Sequence, residues 1–222
     1  MKLIYTSLIL SIIFSVSVSG IEIESESGNI IITEIMVNPN SVYDQYGEYL
    51  ELYNPTDRTY NLYGLIIKDN DRDYHIISSN LTILPMSYIV LCRNNNSSKN
   101  GGIMCDYEYS NFKLSNTEDE IILMHNDGTI IDKVYYNKNN WIIPNGASLN
   151  LDLDTFDSSL NDNPSNWCKS TTVFGNGDYG TPGSDNKKCY QSLPEFNSLL
   201  IAASILLLSP VLAYLLVGVR AY

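Results

Sequence analysis

The chain has 222 residues, with 25 Asp and Glu against 13 Lys and Arg, and a formal net charge of −12. At 44% hydrophobic residues and 17 Tyr it holds too much to bury for a disordered chain. Its acidity argues against nucleic acid as a partner, and its length excludes a large multidomain enzyme.

Residues 1–20 read as a secretory signal. Lys2 supplies the positive start and Leu3–Phe14 an apolar stretch broken only by Thr6, Ser7 and Ser11. A small-residue end follows, with Val18-Ser19-Gly20 or Ser17-Val18-Ser19 at the cleavage point. An uncleaved anchor is the alternative; in either case the chain beyond is exported. Residues 21–28 form a short linker.

Beyond the linker helical periodicity is nearly absent. Strands are expected at Ile30–Met36, Glu48–Tyr53, Leu62–Lys68, Tyr74–Ile77, Ser87–Arg93, Glu120–His125, Thr129–Tyr136 and Ser148–Leu153, separated by turn residues such as Asn38-Pro39-Asn40 and Asn54-Pro55. Asn126-Asp127-Gly128 is a hairpin signal, because Asp and Gly accept the positive φ of such turns. Many short strands at this spacing imply an all-β antiparallel sandwich or barrel. Within Glu48–Tyr53, alternation assigns Leu50 and Leu52 to the core and Tyr49, Glu51 and Tyr53 to the outer face. The run Ile121-Ile122-Leu123 suits a central strand covered on both sides.

Residues 199–219 are uncharged and long enough to cross a bilayer as one helix, Pro210 notwithstanding. With an export signal in front, the ectodomain lies outside and the tail 220–222, carrying Arg220, inside; residues 186–198 are a juxtamembrane linker. The exported part holds 11 basic and 25 acidic residues, a net of −14.

All four cysteines, Cys92, Cys105, Cys168 and Cys189, fall in that exported part, where disulfides form. Three pairings are open. Proximity favours Cys92–Cys105, closing a floppy insertion at Arg93–Met104, and Cys168–Cys189. Zinc is not indicated, since no CxxC occurs. Asn80, Asn95 and Asn96 begin glycosylation sequons.

Little else suggests chemistry. The histidines are His75 and His125, read as ordinary strand residues at a surface or edge, and no HExxH, GxSxG or phosphate-cradling loop is present. Asp69-Asn70-Asp71-Arg72-Asp73 has the alternating acids of a calcium loop, but Tyr74 and Asn80 stand where an EF-hand needs Gly and Glu. Asp152, Asp154 and Asp157, followed by Asn161-Asp162-Asn163, form a second acidic loop and the weak candidates for metal, with Ca²⁺ the one cofactor to consider. Glu34 and Glu51 lie inside apolar strands and need partners, either loop amides or Arg58 or Lys68; the functional version is a shared ligand site or a paired acid.

A series of short pieces carries a resemblance. Ile32-Thr33-Glu34-Ile35-Met36 with Asn38-Pro39, Gly47-Glu48-Tyr49-Leu50-Glu51-Leu52-Tyr53-Asn54, Leu62…Gly64, Leu84-Pro85 with Tyr88–Leu91, Leu114-Ser115-Asn116, Asp127-Gly128-Thr129, Ser148-Leu149, Asn166-Trp167 and Gly180-Thr181-Pro182-Gly183 follow one another as in a lamin-tail domain, over residues 29–185. The resemblance implies an immunoglobulin-like antiparallel β-sandwich with a non-catalytic role and carries no catalytic residues. Pro194-Glu195-Phe196 before the apolar run is similar to archaeal surface-sorting signals, with a single Arg in the tail as a departure. Together these readings lead to a membrane-anchored cell-surface binding or structural module that faces an envelope protein or glycan and binds no nucleic acid. The alternatives are a calcium-stabilised adhesion domain and, further off, an exported hydrolase.

Overall fold

The computed structural model describes residues 29–189. The signal at 1–20, the linker 21–28, Pro194-Glu195-Phe196, the apolar run 199–219 and the tail lie outside the described residues. In chain order the strands are β1 (Ile31–Met36), β2 (Tyr49–Asn54), β3 (Tyr60–Asn61), β4 (Ile66–Lys68), β5 (Tyr74–Ile76), β6 (Thr82–Ile83), β7 (Ser87–Cys92), β8 (Tyr107–Glu108), β9 (Glu118–Met124), β10 (Ile130–Asn137), β11 (Leu149–Leu151), β12 (Trp167–Lys169), β13 (Val173–Phe174) and β14 (Asp178–Tyr179). A four-residue helix, α1 (Asp44–Gly47), precedes β2. Among the described residues no helix is long and apolar enough to cross a membrane.

Two sheets face each other. One has the order β12-β11-β1-β2-β7-β8, the other β10-β9-β4-β5. Neighbours are antiparallel except β7 and β8. The main core lies between the sheets and joins Leu50, Leu52 and Leu91 of the first to Ile67, Ile121, Leu123 and Val134 of the second. β9 is central in its sheet and its three apolar residues 121–123 are buried, as the run suggested. The β9–β10 hairpin turns at Asn126–Gly128, where Gly128 has φ 95° and Asp127 accepts the Thr129 amide at 2.8 Å.

The predicted strands are present with shifted ends: β9 starts two residues earlier than expected, and β2 and β10 each run one residue further. Leu62–Leu65 forms a turn, so that β4 begins at Ile66, and Leu153 opens a 3₁₀ turn rather than ending β11. The two-residue strands β3, β6, β8, β13 and β14, and β12, lie in stretches without an alternating pattern.

The outer-face assignment of Tyr49, Glu51 and Tyr53 is wrong: all three are buried. The register is as expected, with Leu50 and Leu52 in the main core, but the other face of β2 is covered as well. A second, smaller core of Met36, Tyr49, Val90, Cys92 and Ile103 sits there, with Cys105 and Phe174 against it. Its cover comes from three segments distant in sequence: the insertion around Asn100–Cys105, the β13–β14 hairpin and a strap at Gly180–Asn186. The insertion is not floppy at its base. Asn100 is buried, donates to Asn94 O and Ile103 O, and accepts from the Gly102 and Ile103 amides, all at 3.0 Å. Backbone meets backbone where insertion and hairpin touch. A Cβ on Gly175, which has φ 48°, would stand 2.0 Å from Gly101 O.

Both expected disulfides are present, Cys92–Cys105 and Cys168–Cys189, with Cα atoms 5.8 and 5.6 Å apart. The first ties the insertion to β7. The second ties the end of the strap to β12.

Candidate functional site

The most unusual chemistry lies under the strap. In β1 an extra residue, Thr33, breaks the register between Ile32 and Glu34. Such a bulge puts two consecutive side chains on one face. Thr33 and Glu34 therefore both point to the second core, and Glu34 stands opposite Glu51 of β2. Both carboxyls are 0% exposed.

The donors that reach them are neutral. Glu34 accepts from Tyr49 Oη at 3.0 Å, Thr181 N at 2.8 Å and the Ser148 hydroxyl. Glu51 accepts from Thr33 Oγ1 and from Gly183 N, each at 2.8 Å. Loop amides and hydroxyls thus supply these partners, as one reading of the sequence expected. Burial pushes the pKa of Glu34 up, and pushes that of Glu51 well up, with the Glu34 charge adding to it.

Asn186 Nδ2 donates to Thr33 O at 2.8 Å and Leu151 O at 2.9 Å, which fixes its Oδ1 as an acceptor. Thr181 Oγ1 lies 3.0 Å from that oxygen and 3.2 Å from Glu34 Oε2. A hydroxyl has one hydrogen. It serves one of these two acceptors at a time, Asn186 Oδ1 or Glu34 Oε2. The pair is two buried carboxyls whose pKa values are both raised, sealed by the strap. It is a paired acid, as one reading of the sequence allowed, but it has no opening for a ligand.

Other acids are consumed in the same manner. Asp178 accepts from the Asn40 and Ser41 amides and from Ser41 Oγ at 2.7 Å, pinning β14 to the loop after β1. Asp132, next to a bulge in β10, accepts from Ile32 N at 2.7 Å and Asn161 Nδ2 at 2.8 Å, and burial raises its pKa to about 7. Glu48 pairs with Arg93 at 2.9 Å and accepts Leu114 N at 3.1 Å; burial outweighs the guanidinium and lifts it to about 7. None of these roles was visible in sequence, because the donors lie 29 to 138 residues away.

The candidates for catalysis and metal are placed as follows. His75 does lie on the edge strand β5, but its ring is buried. Nδ1 accepts the Ser110 amide at 3.2 Å and Nε2 contacts Tyr107 Oη at 2.9 Å. Both nitrogens are engaged, and burial lowers the pKa. His125 lies in the β9–β10 turn. Asp152 accepts Asp154 N and Cys189 N, Asp154 pairs with Lys188 at 2.7 Å, and Asp157 accepts Ser159 N. Among the described residues no three His, Cys, Asp or Glu side chains gather to hold a metal ion. Asn80, Asn95 and Asn96 are exposed.

An open region lies at the end of the sandwich around α1. A cleft of about 390 Å³ there is lined by Gln45, Arg93, Tyr109 and Lys113 among others. A neighbouring hollow shares Gln45 and Arg93 and adds Tyr43, which is 79% exposed.

A family model described as Lamin Tail Domain matches residues 24–138. That match covers both strands of the carboxyl pair and α1, Arg93 and Tyr109; the strap lies beyond it. No curated protein and no solved structure matches the chain.

Proposed function

The chain belongs to the lamin tail domain family, and from that premise we propose that it is a non-catalytic binding or structural module displayed on the outer face of a cell membrane. In this reading residues 1–20 direct export, residues 199–219 hold the chain as a single-pass anchor with the ectodomain outside, and 194–196 mark the point at which a sorting enzyme acts. The partner is an envelope protein or a glycan. Nucleic acid is repelled by an ectodomain carrying −14. Exposed Asn80, Asn95 and Asn96 are available as glycan acceptors.

The observation that carries the non-catalytic reading is the fate of the titratable groups. The carboxyl pair is sealed and both nitrogens of His75 are engaged. A general base needs hydrogen-bond reach to a substrate proton, and these groups spend theirs holding the fold. A calcium-stabilised adhesion domain is the second reading. It rests on the acidic loops at Asp69–Asp73 and Asp152–Asp157, whose carboxylates do not gather three together at a metal-holding distance among the described residues. Added Ca²⁺ then raises the melting temperature, whereas the leading reading expects no shift.

Protease added to intact cells tests the proposal. Digestion of the ectodomain with only a short C-terminal fragment spared is expected. Protection of residues 29–189 until lysis refutes it.

A further inference from the structure

Strand directions gather several segments at one end of the sandwich. β1 begins there, β2 ends there at Asn54, β7 starts there at Ser87, and β11 ends there at Leu151. The described chain leaves at this end too. Cys189 is joined to Cys168 of β12, and its amide donates to Asp152 Oδ2, just past β11, at 2.7 Å. The turn before β7, Leu84-Pro85-Met86, projects from the same end, three strand spacings or about 14 Å across the sheet from β11. Leu84 is 56% and Met86 62% exposed. Met86 has φ 50°, where turns ordinarily use Gly or Asn, so the turn holds a large apolar side chain in water at a backbone cost. An aromatic cluster stands behind this tip, on the strap side of β2 and β7. Tyr53 Oη donates to Met86 Sδ at 3.7 Å, Tyr53 and Tyr88 stack with centroids 4.5 Å apart, and the Phe156 ring lies 5.2 Å from that of Tyr53. Tyr88 and Phe156 are half-buried.

The occupant follows from where the chain leaves. Nine residues, 190–198, separate Cys189 from the uncharged run 199–219, and fully extended they span about 30 Å. With that run as the anchor, this end of the sandwich is kept beside a bilayer. The end carrying Met104 lies beyond it by the length of β7, about 20 Å. Exposed apolar side chains backed by tyrosines suit the boundary between headgroups and acyl chains, where the ring is in contact with apolar groups and the hydroxyl with water. Asp57 and Arg58 cancel next to the tip, but Asp152, Asp154, Asp157 and Asp185 outnumber Lys187 and Lys188 at this end. That acidic rim disfavours anionic headgroups, and it equally disfavours a second copy, whose own rim would face it. We propose that Leu84 and Met86 insert into the bilayer face that holds the anchor, on lipid without net charge, with Tyr88 at headgroup level. The inference rests on the reading of residues 199–219 as a membrane anchor and names the surface against which the ectodomain is docked.

The test is NMR of the full chain, labelled with ¹³C-methyl methionine, in phosphatidylcholine nanodiscs that contain a spin-labelled phosphatidylcholine. Met104 is the internal control, because it is even more exposed than Met86, at 79% against 62%, and lies at the opposite end. The lipid label is expected to broaden the Met86 methyl signal several-fold more than that of Met104. Leu84→Asp changes an exposed side chain, so the fold is retained by circular dichroism while the broadening at Met86 falls to the level of Met104. Equal broadening of the two methyls or a Leu84→Asp variant that behaves like the parent overturns the proposal. So does a Met86 methyl that is shielded from a soluble relaxation agent without contact to lipid, which places another protein or a second copy on the tip. Those results leave the anchor reading standing, because the chain is still held in the discs. A chain that does not enter the discs removes the anchor reading and this inference together.

Discussion

Tyr49 is the residue on which the alternation pattern and the folded chain disagree, and its replacement separates them. Its ring is fully buried in the second core, edge-on to Phe174 with centroids 6.0 Å apart, and its hydroxyl donates to Glu34 at 3.0 Å. Truncating a buried aromatic to Ala costs about 3–5 kcal/mol, and the orphaned carboxyl adds on the order of 1 kcal/mol. Leu50, its neighbour in the main core, is worth about 2–5 kcal/mol on the same scale. Tyr49→Ala and Leu50→Ala are therefore expected to destabilise about equally, each taking a large share of the 5–15 kcal/mol typical of a domain. Tyr49→Phe, which keeps the ring, costs about 1 kcal/mol. Urea unfolding reads this directly, because Trp141 and Trp167 lie 5.5 Å apart in the main core and report its loss by fluorescence. If Tyr49→Ala stays within about 0.5 kcal/mol of the parent, as a solvent-facing residue does, the strap does not cover β2 and the second core is wrong.

Further outcomes follow from the same packing. Gly180→Ala places a Cβ 2.3 Å from Tyr49 Oη and 3.0 Å from Glu34 Oε1; overpacking of this kind costs about 1–3 kcal/mol, and a thermal melt unchanged from the parent contradicts it. Stability is expected to fall as pH rises from about 5 to 8. Asp132 and Glu48 titrate near 7 when folded against 3.8 and 4.5 otherwise, and Glu34 and Glu51 are also raised, so the folded chain keeps protons that the unfolded chain has lost; each retained proton contributes about 1.4 kcal/mol per pH unit. His75, lowered by burial, opposes this below its ordinary value but is one group against five, since burial also raises Asp119 to about 6. A urea midpoint that is flat or rises over that range refutes the assignment. Replacing Cys168 and Cys189 by Ser removes a closure worth about 3 kcal/mol in the entropic model. The Thr181 and Gly183 amides should then exchange faster while Leu50 remains protected in the folded state; equal loss at all three contradicts the strap's separate docking.

How far the fold could be read in advance depends on where each residue's partner lies. β1, β2, β7, β9 and β10 carry their own signal, since β-rich runs and the Asn126–Gly128 turn are local. The pairs Cys92–Cys105 and Cys168–Cys189 were legible because each partner is the nearest in sequence. Alternation settled which side Leu50 faces. It was silent on Tyr49, because a strand covered on both faces needs a cover, and the cover is Gly180–Asn186, more than a hundred residues away. Glu34 and Glu51 were marked as carboxyls in apolar strands, yet their donors at Ser148, Thr181 and Gly183 belong to segments with no pattern of their own. The bulge at Thr33 is likewise set by tertiary packing rather than by any turn residue.

Central to the account is the sealed acid pair that binds the strap to the sheet. Its protonation can be measured by ¹³C NMR of the Glu34 and Glu51 side-chain carboxyls across a pH titration of the folded chain. The account predicts that both carboxyls titrate above the ordinary glutamate range, Glu51 further than Glu34, and that neither titrates near 4.5. Two carboxyls that ionise together near 4.5 while the strap stays docked would contradict it.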